Sequence, residues 1–524
     1  MLISCYTCRR RHVKCQMTHP PCKKCQKAGL ECLQKRPLRW VDGPAFRNKA
    51  RTSQAHHREK SNTPNKGDYG GSCLYETGLA ESTLDSTNAV ERKVQSAISH
   101  KGDHSSIHIS IPPSLKDPSF DALDDASMYY LNYYSKCVCK LFVMFDSQRN
   151  PLRQLIPAAL ANPALTASVL ALSARHMANG QQIQCQGQDG DHATRFKAHT
   201  DGLMYKQKAI CGLIQALNDP ISRPRDVLIL SAFILIFLDL LESGRDQWKS
   251  HLGGIKKLVS GMHTAETSRH LEATIEGTRE FIMGQIYLIE TLGATFGGRE
   301  LLSGADISPQ QAAPLQMSID RAYIGCPEYL LYAVRFFSKA RDRLADPRHL
   351  DTPETYSFLQ SVTSMLDSTM SFDCHNWVTE TLRASSTTST TQNIQSLEHL
   401  AQAYKSATLI YGWRVCDRLT GNETPLDDLV KALVVEAETL RRDEALFKCI
   451  LWPLFIAGLE SQEQSQKSHI RNCLESFWFE TKCINVINAV TILERFWVDP
   501  SNVEDDSSSW VFRMGQVEGD WLLI

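Results

Sequence analysis

Six of the chain's 17 cysteines fall within its first 32 residues, at Cys5, Cys8, Cys15, Cys22, Cys25 and Cys32. They obey one rule: C-x2-C-x6-C, a six-residue gap, then C-x2-C-x6-C again. A segment this short cannot bury enough apolar surface to fold by itself, so whatever the cysteines hold is what folds it. The N-terminus, MLISCYTCRRRHVKC, contains no apolar core of export-signal length. A reducing compartment is therefore expected, where clustered cysteines read first as metal ligands.

Thiolates are soft donors that select zinc, and a structural zinc takes four in a tetrahedron. Six thiolates satisfy two zincs only if two sulfurs are shared. The internal symmetry picks the first cysteine of each half, Cys5 and Cys22, as the bridging pair. One Zn2+ then takes Cys5, Cys8, Cys15 and Cys22, and the second takes Cys22, Cys25, Cys32 and Cys5. Two alternatives stand beside this. A disulfide framework needs an oxidising compartment. A single-zinc knuckle of Cys5, Cys8, Cys22 and Cys25 leaves Cys15 and Cys32 without a role at matching offsets.

Charge is divided along the chain. Residues 1–60 hold 15 of the 57 Lys+Arg and 3 of the 58 Asp+Glu, a net of +12. The remaining 42 basic and 55 acidic residues give −13, so the formal net of −1 conceals a basic head on an acidic body. Such a head is suited to a polyanion. Between Cys8 and Cys15 the residues are Arg-Arg-Arg-His-Val-Lys. A short helix pinned at both ends by metal ligands would point these basic side chains outward. The tract continues through Lys35, Arg36, Arg39, Arg47, Lys49 and Arg51, as nuclear import or further backbone contacts would use.

CYTCRRRHVKC followed by PPCKKCQKAGLEC resembles the fungal binuclear zinc-cluster DNA-binding domain, the family of the yeast galactose-pathway activator. Arg9, Arg11, Val13, Lys14, Pro20 and Gly29 extend the match beyond the cysteines, and His12 departs from it where the family usually carries Lys. The resemblance implies a two-zinc cluster that places a helix in the major groove of double-stranded DNA and reads a CGG-type triplet. By the same resemblance Arg11, His12 and Lys14 lie nearest the base edges. Arg9, Arg10, Lys23, Lys24 and Lys27 are then phosphate partners, which give affinity and salt dependence rather than base choice. The segment PLRWVDGPAFRNK, with Trp40 and Phe46 among its charges, resembles an extension found in relatives of a fungal acriflavine-sensitivity regulator.

From about residue 48 to 119 the chain is rich in Ser, Thr, Asn, Gly, Lys and His. That composition reads as a disordered linker. His100, His104 and His108 read as solvated linker histidines, and Leu79, Leu84, Val90, Val94 and Ile98 sustain no zipper heptad. Beyond residue 120 the patterning is helical and strand alternation is nearly absent, so this region is expected to be all-α. The longest apolar stretch, Val227–Leu238, spans about 12 residues against the ~18 of a membrane helix, and reads as a buried helix.

Tyr129-Tyr130, Asn150-Pro151, Ala171–Ala178, Trp248-x2-His251-Leu252-x-Gly254, Trp452–Glu460 and Leu493–Trp497 together resemble the fungal-specific transcription factor domain of the second type. The expected organisation is a zinc-cluster DNA-binding domain over 1–34, a basic extension and disordered linker over 35–119, and an all-α regulatory domain over 120–524. No phosphate-binding loop, dinucleotide fingerprint, nucleophile elbow or H-E-x2-H motif is present. Cys374-His375 is no catalytic dyad, because adjacent residues on a helix point apart.

The reading is a nuclear, sequence-specific transcription regulator, not an enzyme and not a membrane protein. Its partners would be CGG-type DNA and the transcription machinery or co-regulators, with a homodimer compatible. The alternative reading is a zinc-cluster scaffold that binds protein without specific DNA binding.

Overall fold

The computed structural model describes residues 5, 7–8, 11, 15, 21–28, 32, 123–184, 189–218, 225–245, 247–260, 272–297, 301–302, 324–344, 354–384, 391–498, 510–512 and 521–524. The chain divides into two units, 1–106 and 107–524. The expected linker, the Trp40 and Phe46 extension and the three linker histidines lie outside the described residues.

In the first unit the described helix is α1, Lys23–Lys27. In the second, α2 is Asp125–Tyr133, and two short helices, α3 (Pro151–Gln154) and α4 (Ile156–Ala161), precede α5, Pro163–Gln184. There follow α6 (Asp189–Asn218), α7 (Arg225–Glu242), α8 (Gln247–Ser260), α9 (Glu272–Phe296) and α10 (Glu328–Leu344). The rest comprises α11 (Glu354–Met370), α12 (Cys374–Ala384), α13 (Thr391–Thr420), α14 (Asp427–Leu440), α15 (Glu444–Phe447), α16 (Leu451–Glu460), α17 (Gln464–Thr481) and α18 (Ile484–Val498). Among the described residues no strand occurs, only an isolated antiparallel bridge between Arg245 and Trp521. The expected all-α class is the observed one.

The Asn-Pro pairs start helices, as their chemistry dictates. Asn150 Oδ1 accepts from the Leu152 amide at 2.9 Å, and Asn162 Oδ1 accepts from the Ala164 amide at 3.0 Å. The proline after each occupies the position whose missing N–H costs nothing. The segment around Tyr129–Phe145 is not one continuous helix. After Tyr133 it loosens into a π-turn, Tyr134–Val138, and tightens into a 3₁₀ turn, Cys139–Phe142. Side chains from the next element serve the carbonyls this transition leaves: Arg153 donates to Ser135 O and Asn150 to Cys139 O.

Gly180 does not stop α5, which runs on to Gln184. Glycine inside a helix costs only ~1 kcal/mol, and the packing of α5 along α6 and α7 outweighs it. Beside it, Asn179 Nδ2 donates to Leu241 O at 2.8 Å and to Lys482 O at 2.9 Å, tying α5 to the ends of α7 and α17. Lys482 is the left-handed cap of α17, at φ 56°, and its N–H donates to Trp478 O.

The apolar stretch expected to be a buried helix is one, with Leu228 through Leu241 almost wholly inside. No described helix is long and apolar enough to cross a membrane. Two of the sequence landmarks meet in the core. Trp452 of α16 is fully buried and donates through Nε1 to Thr295 Oγ1 at 3.1 Å, while Trp497 of α18 donates to Gly458 O at 2.8 Å. Gly458 is needed there, because a Cβ would lie 2.6 Å from a Leu493 methyl. A third landmark, Trp248, seats its ring on Gly293, where a Cβ would come within 2.4 Å of the indole.

The same core contains an ionic network. Arg414 donates to both carboxylate oxygens of Glu460 at 2.7 Å and to Asp417 at 2.8 Å. Asp417 also accepts from Thr424, and Glu460 accepts from the Trp510 indole. Burial alone would lower the Arg414 pKa, but the two carboxylates turn the shift upward.

Candidate metal centre and nucleic-acid face

The local architecture of the N-terminal unit is written in backbone-to-sulfur bonds. The Cys8 amide donates to Cys5 Sγ at 3.3 Å and the Cys25 amide donates to Cys22 Sγ at 3.4 Å. Ten residues apart in each half, the Cys5 amide donates to Cys15 Sγ and the Cys22 amide to Cys32 Sγ, both at 3.3 Å. Each half-motif thus folds its own third cysteine back onto its first. The duplication in sequence is a duplication in geometry. In the second half Cys22 is also the N-cap of α1, the short helix that buries Cys25 and leaves Lys23, Lys24 and Lys27 exposed.

Two groups of four sulfurs gather within 4.8 Å: Cys5, Cys8, Cys15 and Cys22, and Cys5, Cys22, Cys25 and Cys32. Cys5 and Cys22 are common to both. A tetrahedron with metal–sulfur bonds near 2.3 Å has an edge of about 3.8 Å. Cys5 Sγ lies 3.7 Å from Cys22 Sγ, 3.7 Å from Cys25 Sγ and 3.8 Å from Cys15 Sγ, so the donor set fits zinc. Cys8 Sγ also lies 3.7 Å from Cys25 Sγ, a contact belonging to neither group. Distances within Cys5, Cys8, Cys22 and Cys25 would therefore suit one ion as well. What the one-ion arrangement leaves unexplained is the equivalent recruitment of Cys15 and Cys32.

With the thiols this close, burial pushes Cys8 up and Cys25 up to about 12. Cys22 is lowered to about 6, chiefly because its sulfur accepts the Cys25 backbone N–H. The thiolate is the form that ligates metal. Arg11, whose amide closes a turn on Cys8 O at 3.1 Å, is exposed like the three lysines of α1. These four exposed cations are interspersed in sequence with the cysteines of a largely buried sulfur cluster. Arg9, Arg10, His12 and Lys14 lie outside the described residues.

Elsewhere, Cys374 is buried while the exposed His375 pairs with Glu398 at 3.1 Å, so the two point apart as expected. Sequence reasoning missed a further grouping, Glu438, His469 and Cys473, because its members come from two helices.

The chain matches the fungal Zn(2)-Cys(6) binuclear cluster domain over residues 3–41 and the fungal specific transcription factor domain over residues 129–524. Over 589 aligned positions it is 23% identical to the Acriflavine sensitivity control protein acr-2 of Neurospora crassa, covering 99% of this chain and 97% of that protein. It is 21% identical over 527 positions to the Phomenoic acid biosynthesis cluster-specific transcriptional regulator of Leptosphaeria maculans, covering 94% of this chain and 85% of that protein. No solved structure matches.

Proposed function

The chain belongs to the fungal specific transcription factor domain family and carries a fungal Zn(2)-Cys(6) cluster domain, and from that premise we propose a nuclear regulator that reads CGG-type triplets through two zinc ions. Both matched domains are those of transcription regulators rather than enzymes, and zinc and DNA binding come with the N-terminal one. The proposal assigns 1–34 to DNA binding, 35–119 to a basic extension and linker, and 120–524 to regulation.

The observation that carries it is the repeated amide-to-sulfur pattern, in which Cys5–Cys15 and Cys22–Cys32 are equivalent pairs. In this reading all six cysteines are ligands, with Cys5 and Cys22 shared. Bound zinc supplies the folding free energy the short segment lacks, on the order of 10–16 kcal/mol apparent per structural site in small fingers. The residues then divide the labour. Arg11, with His12 and Lys14, donates to guanine O6 and N7. Arg9, Arg10, Lys23, Lys24 and Lys27 engage phosphates and fix the register. Residues 61–524, net −13, gain nothing from phosphates, and are the part free to meet the transcription machinery or co-regulators. A homodimer would pair two such heads on two half-sites.

Gel-shift titration of the full chain with a CGG-containing duplex and a scrambled duplex tests the reading. After dialysis against a weak chelator, metal analysis should find two tightly held zinc equivalents. Equal affinity for the two duplexes would remove the sequence-specific part. A single equivalent would remove the shared-thiolate part.

A further inference from the structure

Helices α14 and α17 pack side by side in the second unit. On α17, His469 and Cys473 are one turn apart and share a face. Opposite them stands Glu438, in the last turn of α14. Carboxylate oxygen, imidazole nitrogen and sulfur all lie within 4.8 Å of one another. His469 Nε2 comes 3.3 Å from Glu438 Oε2, yet this nitrogen is buried and makes no hydrogen bond. The position is electrostatically suited to a cation. Glu438 lies in the last turn of α14, the end of a helix that favours positive charge. A cation already leans on it: Arg441 reaches Glu438 at 3.2 Å and Ser476 Oγ at 3.1 Å.

The plain alternative is a half-exposed ion pair beside a buried thiol that acts as a small hydrophobe. That alternative leaves the imidazole nitrogen, 3.3 Å from the carboxylate, without a hydrogen bond to it, and the convergence of three different donors unexplained. The donor chemistry narrows the metal. A thiol and an imidazole disfavour magnesium and calcium, and a sulfur–nitrogen–oxygen set with a fourth position open suits zinc.

We propose that Glu438, His469 and Cys473 form a third, exchangeable zinc site that ties α14 to α17. Binding converts the Cys473 thiol and Zn2+ into a thiolate–zinc bond and one released proton. Because that proton must leave before the bond forms, the site tightens as pH rises. Arg441 competes with the metal for Glu438.

The test uses the full chain, dialysed to its tightly held zinc and titrated with Zn2+ against a chromophoric chelator. One additional equivalent is expected, with about one proton released at neutral pH. Glu438→Gln, at a half-exposed position that spares the core, and His469→Asn should each weaken this equivalent at least tenfold. Arg441→Gln should strengthen it, an effect that a purely structural ion pair would not produce. Cys211→Ser, an exposed thiol elsewhere, should leave it unchanged. The equivalent should also persist in Cys22→Ser, which separates it from the N-terminal cluster. An extra equivalent that survives both Glu438→Gln and His469→Asn, or none at all, overturns the proposal.

Discussion

Replacing Arg414 by Met leaves the carboxylates of Glu460 and Asp417 buried without their shared cation. Arg414, Asp417 and Glu460 are 4%, 2% and 5% exposed in their side chains, so water cannot make good the loss. Breaking one side of such a buried ionic arrangement costs about 3–5 kcal/mol, because the orphaned charge stays behind. Glu460→Gln is milder. Arg414 keeps Asp417, the shape is retained, and the loss is one charge-assisted pair, about 1.5–3 kcal/mol. The Gln amide also turns a donor towards a guanidinium that can only donate. Because the two residues touch, the double variant should be less destabilised than the sum of the singles by about 2 kcal/mol. Urea unfolding followed by tryptophan fluorescence reads this directly, since every tryptophan except Trp40 lies at position 248 or beyond. The Trp510 indole, which donates to Glu460, should report the local change first. Additive single effects, or an Arg414→Met cost below about 1 kcal/mol, would refute the reasoning.

Gly293→Ala would set a methyl 2.4 Å from the buried Trp248 ring, and should destabilise by about 1–3 kcal/mol despite alanine's better helix propensity. His176 is held down to about 4 by burial, so the unfolded state binds the extra proton between pH 4 and 6.5. Stability should therefore fall as pH drops through that window, by on the order of 2–3 kcal/mol, and His176→Phe should flatten the slope in pH-dependent unfolding. In the N-terminal unit, Cys22→Ser should remove both tightly held zincs in metal analysis, whereas Cys32→Ser should spare one. Lys27→Ala should weaken every duplex alike and reduce the salt slope by about one phosphate, while Arg11→Ala should cost about 1–3 kcal/mol on the preferred triplet and relax base choice in gel shifts.

The gathering of the six N-terminal sulfurs was legible in the cysteine spacing alone. A cluster in so short a segment is specified by local offsets, and Cys5 and Cys22, the pair that the internal symmetry singles out, are the two common to both sulfur groups. The Asn-Pro starts and the apolar run of α7 were legible for the same reason, since caps and buried helices are local chemistry. Gly180 is carried inside α5, because the glycine penalty is small against the packing of a long helix on two neighbours. The break after Tyr133 was invisible because Arg153 and Asn150, which serve the freed carbonyls, act from the next element. Tertiary structure alone decided which charged residues would be buried together. Nothing in a linear reading joins Arg414 to Glu460 across 46 positions, or Glu438 to His469 and Cys473 across two helices. Their value depends on lost solvation and on angles between helices, and neither quantity exists until the helices have packed.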